Sequence, residues 1–184
     1  MNRYTVIFAT ALLAGSAFAQ QKGAPADMAA DLQQSYTGGK NKIIAAAEEM
    51  PEAGYSLKPT PDVRTFAGWV GHLVDTNAQF CQVVTGGTKT FGAETGMTAK
   101  ADLVAALKQS FEICDPVYSG TTMANHDDIV QTFRGGRPRA SWLYFNIAHN
   151  EEGYGAMAVY LRLQKLVPPS SAGRGGAGKG KGKQ

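Results

Sequence analysis

The chain has 184 residues, with 18 Lys and Arg against 15 Asp and Glu, giving a formal charge of +3. Arg174, Lys179, Lys181 and Lys183 at the C-terminus exceed that whole excess, so the body of the chain carries no basic face of the kind that binds nucleic acid specifically. No run after the N-terminal segment approaches the roughly twenty apolar residues a membrane helix needs, which argues against membrane insertion of the remainder.

The N-terminal segment itself reads as a signal peptide. Arg3 gives a positive start, Tyr4 to Ala14 is an apolar run too short for a spanning helix, and Ala17-Phe18-Ala19 before Gln20 has the small-x-small pattern of a cleavage site. The expectation is a protein exported to the periplasm or the extracellular space and cleaved after Ala19; the alternative is an uncleaved anchor. Residues 20–169 then form one domain and residues 170–184 a disordered Gly- and Lys-rich tail, with no large apolar side chain to offset its ordering entropy. The tail serves either as a solubilising terminus or as a salt-sensitive contact with anionic polymers. Cys81 and Cys114 are the two cysteines, read as a disulfide in an oxidising compartment or as two small buried apolar residues.

Apolar periodicity predicts helices almost throughout and no strand, an all-α class. The first helix is expected from Ala26 to Met50, weakened at Gly38-Gly39 by about 1 kcal/mol per glycine. The second starts with Thr60 as N-cap and Pro61 in the first turn, continues an apolar stripe from Val63 to Val84, and ends at Gly86-Gly87. A loop containing Phe91 and Gly96 leads to a third helix capped by Thr98, with Leu103, Leu107, Phe111 and Cys114 on one face and Pro116 as its limit. The last helix, Ala140 to Leu166, places Trp142, Phe145, His149, Ala156, Tyr160 and Leu163 on one face, with Asn146 and Gly153 beside them, and stops before Pro168-Pro169. A histidine in such a stripe needs a partner, because desolvating its ring nitrogens costs about 1–3 kcal/mol. His126, between Asn125 and Asp127, reads as a surface residue.

Pro59-Thr60-Pro61-Asp62-Val63-Arg64-Thr65-Phe66, Gly71-His72-Leu73, His149-Asn150-Glu151-Glu152-Gly153-Tyr154-Gly155, Tyr160-Leu161-Arg162 and Val167-Pro168-Pro169 together resemble the DinB/YfiT-like metalloenzyme superfamily, in its order, from Leu32 to Ser171. The resemblance implies a four-helix bundle of up-down-down-up topology, in which the second and third helices run parallel and bring Cys81 near Cys114. It also implies a divalent metal held by one histidine of the second helix and an H-x-x-x-H pair of the last. His72 and His149 match two of these positions. Gly153 stands at the third, where it has no donor to offer. Glu152, three residues after His149, is the candidate substitute, completing a two-histidine, one-carboxylate set suited to Zn, Ni, Fe or Mn. Asn146, Asn150 and Tyr154 are candidates to orient ligands or substrate. The competing reading has His72 and His149 hydrogen-bonded to each other, to Asn146 or to water, with no metal.

Three functions follow from the resemblance. One is a metal-dependent hydrolase or transferase, with hydrolysis the better match to export. Another is a binding protein that takes an unidentified small molecule into space left by Gly153. The third is an envelope interaction protein that pairs as a homodimer. No G-x-S-x-G, H-E-x-x-H, Walker loop or strand-bound G-x-G-x-x-G is present.

Overall fold

A computed structural model describes residues 25–172; the expected signal peptide and the tail from residue 173 onwards lie outside the described residues. Helix α1 (Met28–Glu49) opens at Asp27, whose carboxylate accepts a hydrogen bond from the Ala30 amide at 2.9 Å. It runs unbroken through Gly38-Gly39. Gly39 is buried, and a Cβ there would stand 3.0 Å from Glu151 Oε1, so the glycine allows close packing on the last helix. Tertiary packing outweighs the propensity cost.

Helix α2 (Phe66–Thr85) starts later than its sequence signal. Thr65, not Thr60, is the N-cap and accepts from the Gly68 amide at 2.9 Å. Thr60 to Val63 is a turn closed by Val63 N–H to Thr60 C=O, with Pro61 at the second position that such turns favour, and Val63 lies exposed outside the helix. Gly86 ends α2 at φ 73°, as expected. The following loop contains an unforeseen short helix, α3 (Ala93–Gly96).

Helix α4 (Lys100–Ser119) is preceded by Ala99 with no side-chain cap, so Thr98 does not play that role, and it continues one turn past Pro116. Burial of Val117 and Tyr118, with the Tyr118 hydroxyl donating to Leu143 C=O at 3.0 Å, holds that turn in place. The polar segment after it contains the one departure from all-helical expectation among the described residues. Strands β1 (Ile129–Thr132) and β2 (Gly135–Pro138) pair antiparallel, Ile129 opposite Pro138 and Thr132 opposite Gly135. A β-branched run followed by Gly135 at φ 89° is the local cause. Only Val130 of the hairpin is buried, against Phe80 and Trp142.

Helix α5 (Arg139–Leu163) ends before the expected Leu166. Lys165 at φ 61° reverses the chain, and Leu166 N–H bonds to Leu161 C=O while Lys165 N–H bonds to Arg162 C=O, a Schellman ending built without glycine.

Side-chain pairings fix the helix directions. Lys100 near the start of α4 reaches Glu48 and Met50 C=O at the end of α1, so these two run antiparallel. Lys42 with Glu151 and Tyr144 with Asp31 make α1 and α5 parallel. Trp142 Nε1 donating to Phe80 C=O makes α2 and α5 antiparallel, and the Cys81–Cys114 disulfide, with Cα atoms 5.2 Å apart, joins α2 and α4 late in each, in parallel. The topology is up-down-down-up, as expected. Closing a loop with a sequence separation of 33 stabilises the fold by about 3–4 kcal/mol on the chain-entropy scale. Among the described residues no helix is long and apolar enough to cross a membrane.

Candidate metal centre in the groove between α2 and α5

The faces of α2 and α5 that meet at the surface form a groove whose walls are half-buried: Trp69, His72 and Thr76 from α2, Phe145, His149 and Ala156 from α5. His149 is therefore at the edge of its helix's buried face, not in its middle. The buried face centres on Leu143, Asn146, Asn150, Gly153, Tyr154, Met157 and Leu161; Trp142 and Tyr160 of the expected stripe are buried as well, and Leu163 is exposed.

His72 and His149 meet across this groove with their Nε2 atoms 3.2 Å apart, within hydrogen-bond distance, so the two rings pair with each other as the metal-free reading expected. His72 is anchored from behind. Its Nδ1 lies 2.8 Å from Glu94 Oε2, and Arg64 Nε donates to Glu94 Oε1 at 2.7 Å while the Arg64 guanidinium covers the Trp69 ring at 4.9 Å. Glu94 reaches this place because a glycine precedes His72. A Cβ on Gly71 would lie 2.7 Å from the Ala93 carbonyl, so only glycine lets α3 rest on α2. One turn on from Gly71, the Asp75 carboxylate accepts the Ala93 and Glu94 amides at 3.0 and 2.9 Å.

These contacts set protonation. Partial burial pushes the Glu94 carboxyl up, but the hydrogen bonds from Arg64 and His72 outweigh it and hold the group below the usual carboxylate range. A carboxylate at Nδ1 fixes the His72 ring so that Nε2 faces His149. Burial pushes His149 below the usual imidazole range, with His72 lowering it further, Glu152 opposing and Arg64 adding to the fall. His149 is thus neutral at neutral pH, and its buried Nδ1 has no hydrogen-bond partner.

The remaining sequence candidates are placed elsewhere. Glu152 is exposed and is not within hydrogen-bond distance of either histidine; only its charge reaches His149. Asn146 and Asn150 point into the core, where both amide nitrogens donate to Asn77 Oδ1 at 3.2 Å. The Tyr154 hydroxyl accepts from the Ser170 amide at 2.8 Å, tying down the C-terminal segment. Gly153 leaves no pocket, because a Cβ there would stand 2.6 Å from Leu73 Cδ2: the leucine fills the space. His126 lies in the polar surface segment away from the pair, its ring bonding Met123 C=O at 2.9 Å and Asp127 at 3.2 Å. Glu94 was not foreseen. Its signal was the glycine before His72, which marks a close backbone approach.

The two imidazoles pass a geometric test for a shared metal. Nitrogens each about 2.0–2.1 Å from one tetrahedral ion stand about 3.3 Å apart, close to the spacing here. A carboxylate on the far nitrogen is the usual support for a metal-ligating histidine. A third side-chain donor does not fit: among the described residues no three His, Cys, Asp or Glu side chains form a group able to hold a metal.

Fold and groove together define an up-down-down-up four-helix bundle with a histidine pair between its second and last long helices. The family model of the DinB superfamily matches residues 36–157, and the chain belongs to that superfamily. A crystal structure of a DinB-like protein from Bacillus cereus shares the fold with a TM-score of 0.65 at 18% identity, over 75% of this chain and 93% of that one. No curated protein matches the chain.

Proposed function

We propose that this DinB-fold protein binds a divalent metal, Zn, Ni, Fe or Mn, weakly at His72 and His149, and that the site supports hydrolysis or group transfer on a small molecule in an exported setting. The observation that carries the reading is the 3.2 Å spacing of the two Nε2 atoms with Glu94 fixing the His72 ring. The disulfide is consistent with an oxidising compartment.

A bound ion supplies Lewis acidity. The chain supplies the rest. Glu94 and Arg64 hold the His72 ring in one orientation, and burial keeps His149 neutral, the form of imidazole that can ligate. Phe80, buried behind the pair with its ring centroid 5.7 Å from that of His149, packs against the imidazole from the core side. With two imidazoles alone, affinity would fall well below that of three-histidine sites.

A second reading has its own observation. Leu73 occupies the place of the third ligand, which favours a protein that keeps the fold as a non-catalytic ligand-binding or envelope interaction module. Elemental analysis after dialysis against Zn with a weak chelator, with His149→Ala as control, separates the two. Bound metal that disappears in the variant supports the first reading; equal traces in both support the second.

A further inference from the structure

The hairpin joining α4 to α5 ends on Phe133 and Arg134, and this tip leans over the groove beside the histidine pair. The Arg134 guanidinium stands 4.6 Å over the Phe145 ring. Phe145 is one helical turn before His149 on α5, so both side chains share one face. Phe80 ties them together, its ring 5.3 Å from Phe145 and 5.7 Å from His149. Phe133 packs at 5.1 Å against Trp142 yet leaves more than half its surface exposed.

The tip is held in place. Thr132 Oγ1 donates to Gly135 C=O at 2.7 Å and accepts from the Arg134 amide at 3.0 Å. Among the described residues no carboxylate pairs with Arg134, whereas the other guanidinium of the groove, Arg64, is committed to Glu94. Glu152, the acid whose charge reaches His149, lies two turns beyond Phe145 on α5, about 10 Å along the helix axis. The result is a fixed, exposed cation on an aromatic platform one turn from the histidine pair, with its donors unspent.

From this we infer that the groove takes small organic carboxylates with a flat apolar body, the carboxylate paired with Arg134 and the body lying against the exposed Phe133 ring. A guanidinium matches a carboxylate with two parallel hydrogen bonds, and stacking on Phe145 holds it ready. The inference rests on the groove being the working site but not on a bound metal.

The test uses the three histidines as reporters, since His72, His126 and His149 give a simple imidazole NMR spectrum. Phenylacetate and its uncharged analogue phenylacetamide are titrated into mature protein, once with chelator and once with added Zn. Phenylacetate is expected to shift the His149 signals saturably and leave His126 still, and phenylacetamide to bind at least about tenfold more weakly. Arg134→Gln should lose a similar factor for the acid only, and Arg134→Lys should recover part of it. Equal affinity for acid and amide, an unchanged Arg134→Gln, or no saturable shift with either probe overturns the inference. Metal retention is measured separately, so a carboxylate effect in chelator-treated protein upholds the inference even where the metal reading fails, and a metal-binding protein indifferent to Arg134→Gln does the reverse.

Discussion

His72 and His149 face each other at 3.2 Å, yet the two halves of the site are built differently. On the α2 side every layer has a partner: Glu94 behind His72, Arg64 and Asp75 behind Glu94, and Gly71 admitting the backbone that carries it. On the α5 side His149 has a bare Nδ1, Asn146 and Asn150 are turned inward to Asn77, and Leu73 fills the volume beside Gly153. An oriented imidazole thus meets an unsupported one. The difference teaches that the proposed metal site is limited by its α5 half, and that the α2 half is organised by protein contacts alone.

The strongest way to break the comparison is to give α5 its missing donor. Gly153→His alone forces a side chain into Leu73 and should destabilise the fold by about 1–3 kcal/mol in urea denaturation. Combined with Leu73→Ala, which clears the space, it should raise Zn affinity by about 100-fold or more in competition titration against a chromophoric chelator. No gain in the double variant would mean that the missing donor is not what limits the site.

The next largest effect belongs to the supported half. A methyl at Gly71 meets the Ala93 and Glu94 backbone at 2.7 Å, and backbone yields less readily than a side-chain end. Gly71→Ala should cost about 1–3 kcal/mol by thermal denaturation and move the His72 imidazole signals as Glu94 withdraws. A stable variant with unchanged His72 signals would show that α3 does not depend on this contact.

Glu94→Gln is gentler. The carboxyl is held below its ordinary range, so its contribution to stability is present above the usual carboxylate pKa and lost as pH falls through the lowered value. With about a third of the side chain exposed, that contribution is less than about 1 kcal/mol. The variant should flatten the acid limb of the stability profile and weaken metal binding roughly tenfold. A profile parallel to that of the parent protein would remove Glu94 from the support of His72.

Much of this organisation was legible in the sequence, and the failures have physical causes. The bundle, its topology, both histidines and the cysteine pair follow from apolar spacing and from motifs that resemble the DinB family. Cap signals misled where a competing local structure used the same residues: Pro61 favours a turn as readily as a helix start, and Pro116 did not stop a helix whose next turn is buried. The hairpin was missed because only Val130 is buried, leaving little alternation to read. Glu94 was missed because its partner is 22 residues away, brought there by a loop rather than by helical spacing. Glu152 was chosen by spacing alone, and spacing does not tell which way a side chain at the edge of a buried face turns.

Glu152 supplies the smallest prediction and the sharpest limit on the comparison. If the α5 half of the site is as bare as its hydrogen bonds indicate, Glu152→Ala removes only a charge acting from a distance on His149. Stability should change by no more than about 0.5 kcal/mol, as for a surface position. Metal affinity should fall less than about threefold, since an exposed charge outside contact range is heavily screened at physiological salt. Because that charge now raises the His149 pKa, its removal should lower the pKa further in an NMR titration, opposite in sign to the loss of a ligand's proton competition. A loss of metal comparable to that in His149→Ala would instead make Glu152 a ligand that turns inward on binding, and the α5 half would be a site completed by the metal itself.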